Sequence, residues 1–162
     1  GEDKSHLDPQ ECEMAETVIR THNKLTVPEG LDDLTRRYAV LLRDADKTDI
    51  FRVLVEIPYE KRASKRDGLE RRTEAREEVM TCVKEHRCVP RTALSGRTEF
   101  EALISQCCMA FELENAVTKE IVKKQGYLQM LLEKEYGSDQ GAGSETAKAQ
   151  MELLRREIEK VL

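Results

Sequence analysis

The chain has no tryptophan, and aromatic residues make up only 4% of it. So little aromatic bulk is poor material for a β-sandwich or a barrel enclosing a ligand. No apolar run approaches the ~20 residues that span a bilayer, and no Asn-x-Ser/Thr acceptor occurs, which argues against a membrane partner. Also missing are a phosphate-cradling glycine loop, His-Glu-x-x-His, Gly-x-Ser-x-Gly and a paired-cysteine redox motif. No cofactor and no enzymatic role are therefore expected. The five cysteines form an odd set without a secretory leader, pointing to a reduced, intracellular setting, cytoplasmic or nuclear. Gly1 to Ser5 read as a boundary left by cloning or excision and carry no weight in the fold argument.

What is abundant is charge. Charged residues are 36% of the chain against 39% apolar, the balance of solvent-laced helices, so the expected fold class is all-α. The net charge of −5 conceals a gradient: residues 1–34 hold three basic and nine acidic side chains, residues 61–97 eleven basic and six acidic. Arg62, Lys65, Arg66, Arg71, Arg72 and Arg76 form the basic patch. It suits an acidic protein surface, the 1–34 region included. Nucleic-acid binding through residues 61–76 is the alternative, although no aromatic residues interleave the run for base stacking.

The organising stretch runs from Thr98 to Tyr136 without a proline. Phe100, Leu103, Cys107, Ala110, Val117, Ile121, Leu128 and Leu131 fall on one three-and-four spacing, and Thr98 with Glu101 forms a capping box. This predicts one long central helix, roughly 60 Å at about 1.5 Å per residue, ending at Gly137. Its first half is apolar on more than one stripe, as for a helix with several neighbours. Its second half narrows to a seam carrying Glu114 as a rim charge, Lys124, and Gly126 as a permitted bend.

Four organisational parts follow: an N-terminal helical bundle region (1–97), the central helix (98–136), a Gly/Ser-rich linker (137–144) and a heptad helix (145–162). In the first, Asp8-Pro9-Gln10-Glu11 opens a helix with Ala15, Val18, Ile19, His22 and Leu25 on one stripe, stopping before Pro28. A second helix, Leu31 to about Ala45, presents Leu31, Leu34, Tyr38, Leu41, Leu42 and Ala45. Asp44 to Asp49 resembles the opening of a calcium loop but fails at its sixth and twelfth positions, Asp49 and Val55, and reads instead as a helix end and a new start. Ile50 to Ile57 reads as a short buried helix in preference to a strand, closed by Pro58. Another helix, from Asp67 to about His86, keeps Leu69, Thr73, Arg76, Met80, Val83 and Arg87 at heptad spacing.

Cys82, His86 and Cys88, with Cys107 or Cys108, lack finger or ribbon spacing and read as core thiols rather than zinc ligands. In the last helix Met151, Leu154, Ile158 and Val161 demand burial, either against Val117, Ile121, Leu128 and Leu131 of the same chain as an antiparallel hairpin or in a second copy. Residues 137–162 read equally as a native segment or a fused partner. The expected architecture is a helical bundle with a long central helix and a coiled-coil-like C-terminal extension. The expected role is a non-enzymatic scaffold or adaptor in an intracellular, even cytoskeletal, assembly, joining protein partners or copies of itself through its heptad helices.

Overall fold

The computed structural model describes residues 8–24, 26–57, 74–133 and 144–162, and among these every regular element is helical. The chain divides into two compact units, Gly1–Asp46 and Lys47–Leu162.

In the first unit, α1 (Pro9–Thr21) starts as the sequence predicts. The Asp8 carboxylate accepts from the Gln10 amide and the Glu11 carboxylate from the Asp8 amide, so two first-turn donors are satisfied reciprocally. The helix ends well before Pro28, where Thr21 turns its hydroxyl onto the Thr17 and Val18 carbonyls. Of the expected stripe, Val18 is buried, Ala15 and His22 are half-buried and Ile19 is exposed; Leu25 lies outside the described residues.

Helix α2 (Asp33–Glu56) corrects two expectations. It begins at Asp32, whose carboxylate takes the Leu34 and Thr35 amides and the Thr35 hydroxyl, contacts that hold its pKa below the usual carboxylate range. The break expected at Asp44–Asp49 does not occur. Residues 50–56 continue the same helix, with Arg52 bridging Asp49 at 2.7 Å and Glu56 at 2.8 Å, one turn either side. The second is the facing of Leu34, Tyr38 and Leu41, which are exposed.

The second unit holds the larger core. Helix α3 (Glu77–Lys84) buries Val79, Met80, Cys82 and Val83. Of the helix expected from Asp67 to about His86, residues 67–73 lie outside the described residues and 74–76 are not helical, so the helix starts later than expected, at Glu77 after an extended Arg76. A 3-10 turn over Arg91–Leu94 then leads to Thr98.

The single central helix is not what the chain forms. Helix α4 (Glu99–Cys107) keeps the predicted Thr98–Glu101 capping box but tightens into a 3-10 turn at Cys108–Glu112. Leu113 is extended, and the Asn115 side chain accepts from the Val117 amide to open α5 (Ala116–Gln125). Gly126, at φ 72°, ends α5 in the left-handed region, and α6 (Tyr127–Glu133) follows. The physical reason is the width of the apolar pattern. Phe100, Leu103, Ile104, Cys107, Cys108 and Ala110 are all buried, and bending the chain after Cys107 avoids committing one straight helix to a single face. Residues 134–136 lie outside the described residues, as does the linker up to Gly143.

Helix α7 (Glu145–Val161) appears where expected, with Ser144 accepting from the Ala147 amide. Ala147, Met151, Leu154 and Ile158 are buried, and Val161 is half-buried. It packs on α3, on the 108–112 turn and on α6. A two-stranded seam over Val117, Ile121, Leu128 and Leu131 is thus replaced by a groove of three elements.

Candidate functional site

The buried face of α2 in the first unit consists of Thr35, Ala39, Arg43 and Asp44. Of the apolar face expected here, Leu31 and Leu42 are half-buried, and three large side chains point to solvent: Leu34 is 54% exposed, Tyr38 47% and Leu41 49%. These three recur at spacings of four and three, so they stand one above the other on one stripe, which Ala45, also exposed, continues for another turn. The periodicity of Leu34, Tyr38 and Leu41 is as expected, but their direction is reversed. A single exposed leucine is ordinary; a stripe of large apolar side chains opposite a buried face that is mostly polar is the informative case.

A smaller exposed pair lies on α5. Val117 is 66% and Ile121 42% exposed, whereas Thr118 and Val122 face inward. One residue is about 100° of rotation on a helix, so the expected face is one step out of phase. Beyond Gly126 the phase resets, and Leu128 and Leu131 are buried. Glu114 and Lys124 are exposed.

Of the basic patch, Arg62, Lys65, Arg66, Arg71 and Arg72 lie outside the described residues. Arg76, exposed itself, is tied to a buried carboxylate. Its Nε and Nη2 donate to the Glu101 carboxylate at 2.7 and 3.1 Å, its backbone amide donates to the same group at 2.9 Å, and Nη2 also reaches the Ala93 carbonyl. Glu101 is 1% exposed. Burial alone would raise its pKa, but the Arg76 guanidinium, the Arg76 amide and the Thr98 amide more than offset it, so the carboxyl is held below its ordinary value. Arg76 here positions the start of α3.

Beside it, the Gln150 side chain of α7 accepts from the Ala75 amide at 2.9 Å and donates to the Ala75 carbonyl at 2.8 Å.

His86 closes α3 at φ 51°, a left-handed position usually taken by glycine. Its amide bonds the Val83 carbonyl and the Arg87 amide the Cys82 carbonyl, the paired bonds of a helix stop. The imidazole stacks on Phe111 at 5.1 Å between centroids and meets Glu157 of α7 at 2.8 Å. Lys160 first, then His86, hold the Glu157 carboxyl down at about 2.

The cysteines are all thiols. Burial pushes Cys107 up to about 12 and raises Cys82, Cys88 and Cys108 as well, with Glu112 adding to the rise at Cys88. A protonated, desolvated thiol is a weak nucleophile, so these groups suit a core better than covalent catalysis. Among the described residues no three His, Cys, Asp or Glu side chains stand in an arrangement that would hold a metal ion, and no helix is long and apolar enough to cross a membrane. A cavity of ≈ 250 Å³ lies between α5, α6 and α7, walled by Val122, Leu128, Leu132 and Ile158 with Lys123 and Glu159 at its edge.

The half-buried pairings Arg76–Glu101 and His86–Glu157 have no signature in the sequence, because partners 25 and 71 residues apart leave no local pattern. The only sequence signal was His86 standing just past the last buried turn of α3. No family model, no curated protein and no solved structure matches this chain.

Proposed function

We propose that this chain is a non-enzymatic helical scaffold or adaptor whose α2 stripe, Leu34, Tyr38 and Leu41, docks a protein partner. The observation that carries the reading is the facing of α2: Leu34, Tyr38 and Leu41 outside, Thr35, Ala39, Arg43 and Asp44 inside. Exposing three large apolar side chains on one stripe forgoes burial worth roughly 1.5–3 kcal/mol for each fully buried residue, a loss a partner surface recovers. Val117 and Ile121 on α5 offer a second, smaller contact. The nucleic-acid alternative keeps its support in the charge run alone, and Arg76 is already given to Glu101.

The test compares the wild-type chain with Leu34→Lys/Leu41→Lys as baits in extract from the source cells, followed by light scattering on the purified complex. A protein retained by the wild type at a fixed ratio and lost from the variant supports the reading. Equal retention by both places the interface elsewhere on the molecule.

A further inference from the structure

The cavity between α5, α6 and α7 lies where Gly126 ends α5, and the last turn of α7 supplies its third side. Its walls, Val122, Leu128, Leu132 and Ile158, are each between 1% and 3% exposed, so the space opens off the core itself. Close-packed interiors keep few voids larger than a water molecule, and ≈ 250 Å³ is about eight times the share of one water in the liquid. Composition explains the space. Tryptophan is absent and none of the three phenylalanines lines the cavity, so branched aliphatic side chains from three helices meet around it without a ring to fill the middle.

Two observations fix what the cavity can hold. The first concerns water. Among the described residues no buried side-chain nitrogen or oxygen at the cavity lacks a partner, whereas a held water needs about two to four polar partners. An aliphatic cavity of that kind stays dry and takes up compact apolar molecules. The second is the charge at the mouth. Lys123 and Glu159, one cation and one anion, stand there with the amide of Gln129, all three exposed. Lys123 meets Glu120 at 3.3 Å and Gln129 donates to Glu133 at 2.7 Å, each along its own helix. The mouth thus has no net charge to draw a carboxylate or an ammonium head, and sinking either head among the aliphatic walls strips its water without supplying a partner.

We infer that this cavity is a binding site for a neutral, compact apolar ligand, a small aromatic of one or two rings and about ten non-hydrogen atoms. The size follows from the volume: a cavity of about 150 Å³ takes benzene, about 25 Å³ for each carbon, and the same packing puts about ten atoms into ≈ 250 Å³. The shape follows from the walls, because a rigid ring system supplies the bulk they lack and loses little conformational freedom on entry. The site uses no α2 residue, so it stands or falls apart from the docking stripe.

Indole, a neutral bicyclic aromatic of this size, is the probe, with benzoate and benzylammonium as aromatic probes of similar size that carry a charge. Titrated into the isotope-labelled full chain, indole is expected to shift the amide resonances of Val122, Leu128, Leu132 and Ile158 saturably, with half-saturation below about 1 mM, and to bind at least about tenfold more tightly than either charged probe. Val122→Phe, which puts a ring into the cavity, is expected to weaken indole binding at least about tenfold while amides outside α5, α6 and α7 keep their wild-type positions. No saturable shift, shifts centred on other residues, a charged probe binding as tightly as indole, or a folded Val122→Phe chain that binds indole as the wild type does overturns the inference. If Val122→Phe does not fold, the wild-type titrations decide alone.

Discussion

Gly126→Ala separates a break between α5 and α6 from a continuous helix by the sign of its effect. In a continuous helix, glycine costs about 1 kcal/mol relative to alanine, so the substitution would stabilise the protein by about that amount. In the structure Gly126 sits at φ 72° as the residue that ends α5, with its amide on the Val122 carbonyl. An added Cβ meets nothing within 4 Å, so sterics with neighbours contribute no cost. What remains is the backbone penalty for an L-residue in the left-handed region, roughly 1–2 kcal/mol. The expected outcome is therefore a loss of about 1–2 kcal/mol, a fall of roughly 2–8 °C in melting temperature at about 2–4 °C per kcal/mol for a chain of this size. Urea titration followed by circular dichroism measures it, with the slope checked for change. A stabilised Gly126→Ala variant would refute the break at Gly126.

Three further outcomes follow from the polar ties and the seam. His86→Ala loses the Phe111 stack and the Glu157 contact while keeping the left-handed backbone, and should cost roughly 2–3 kcal/mol; His86→Gly loses the same contacts but regains about 1 kcal/mol of backbone strain, so it should be the more stable of the two, and the reverse order in urea would contradict the role given to φ 51°. Leu154→Ala and Ile158→Ala, at 0% and 1% exposure, should each cost about 2–5 kcal/mol in thermal melts, and unchanged melting would mean that α7 packs on nothing. Because the Glu157 carboxyl is held at about 2, below its ordinary 4.5, its contribution is complete above about pH 4.5 and fades as the pH falls towards 2; urea midpoints of the wild type and Glu157→Gln should therefore differ at pH 6 and converge near pH 2, and a gap independent of pH would contradict this.

The starts of α1, α4 and α7 were readable because their signals are local. Asp8 with Glu11 and Thr98 with Glu101 form the boxes their spacing predicts, and the α7 seam buries as its heptads require. Direction was not readable. Periodicity shows that Leu34, Tyr38 and Leu41 share a face, but only tertiary packing decides whether that face turns inward. The central stretch misled for a related reason: its apolar spacing persists through the 3-10 turn at Cys108–Glu112 and across Gly126, so the pattern carried no mark of either break except Asn115 as a cap and the glycine itself. The ties that pin α7 and the start of α3 join residues far apart in the chain, where a glutamate on a helix looks like any solvated charge until its partner is placed.

The docking reading rests on the outward stripe of α2, and the most direct measurement is the stability of Leu34→Lys/Leu41→Lys in the isolated chain. Lysines on a solvated face change stability by no more than about 0.5 kcal/mol each, so the urea midpoint should stay close to that of the wild type. A loss of several kcal/mol, the signature of charge forced into a core, would show that the stripe is buried within the chain and contradict the account.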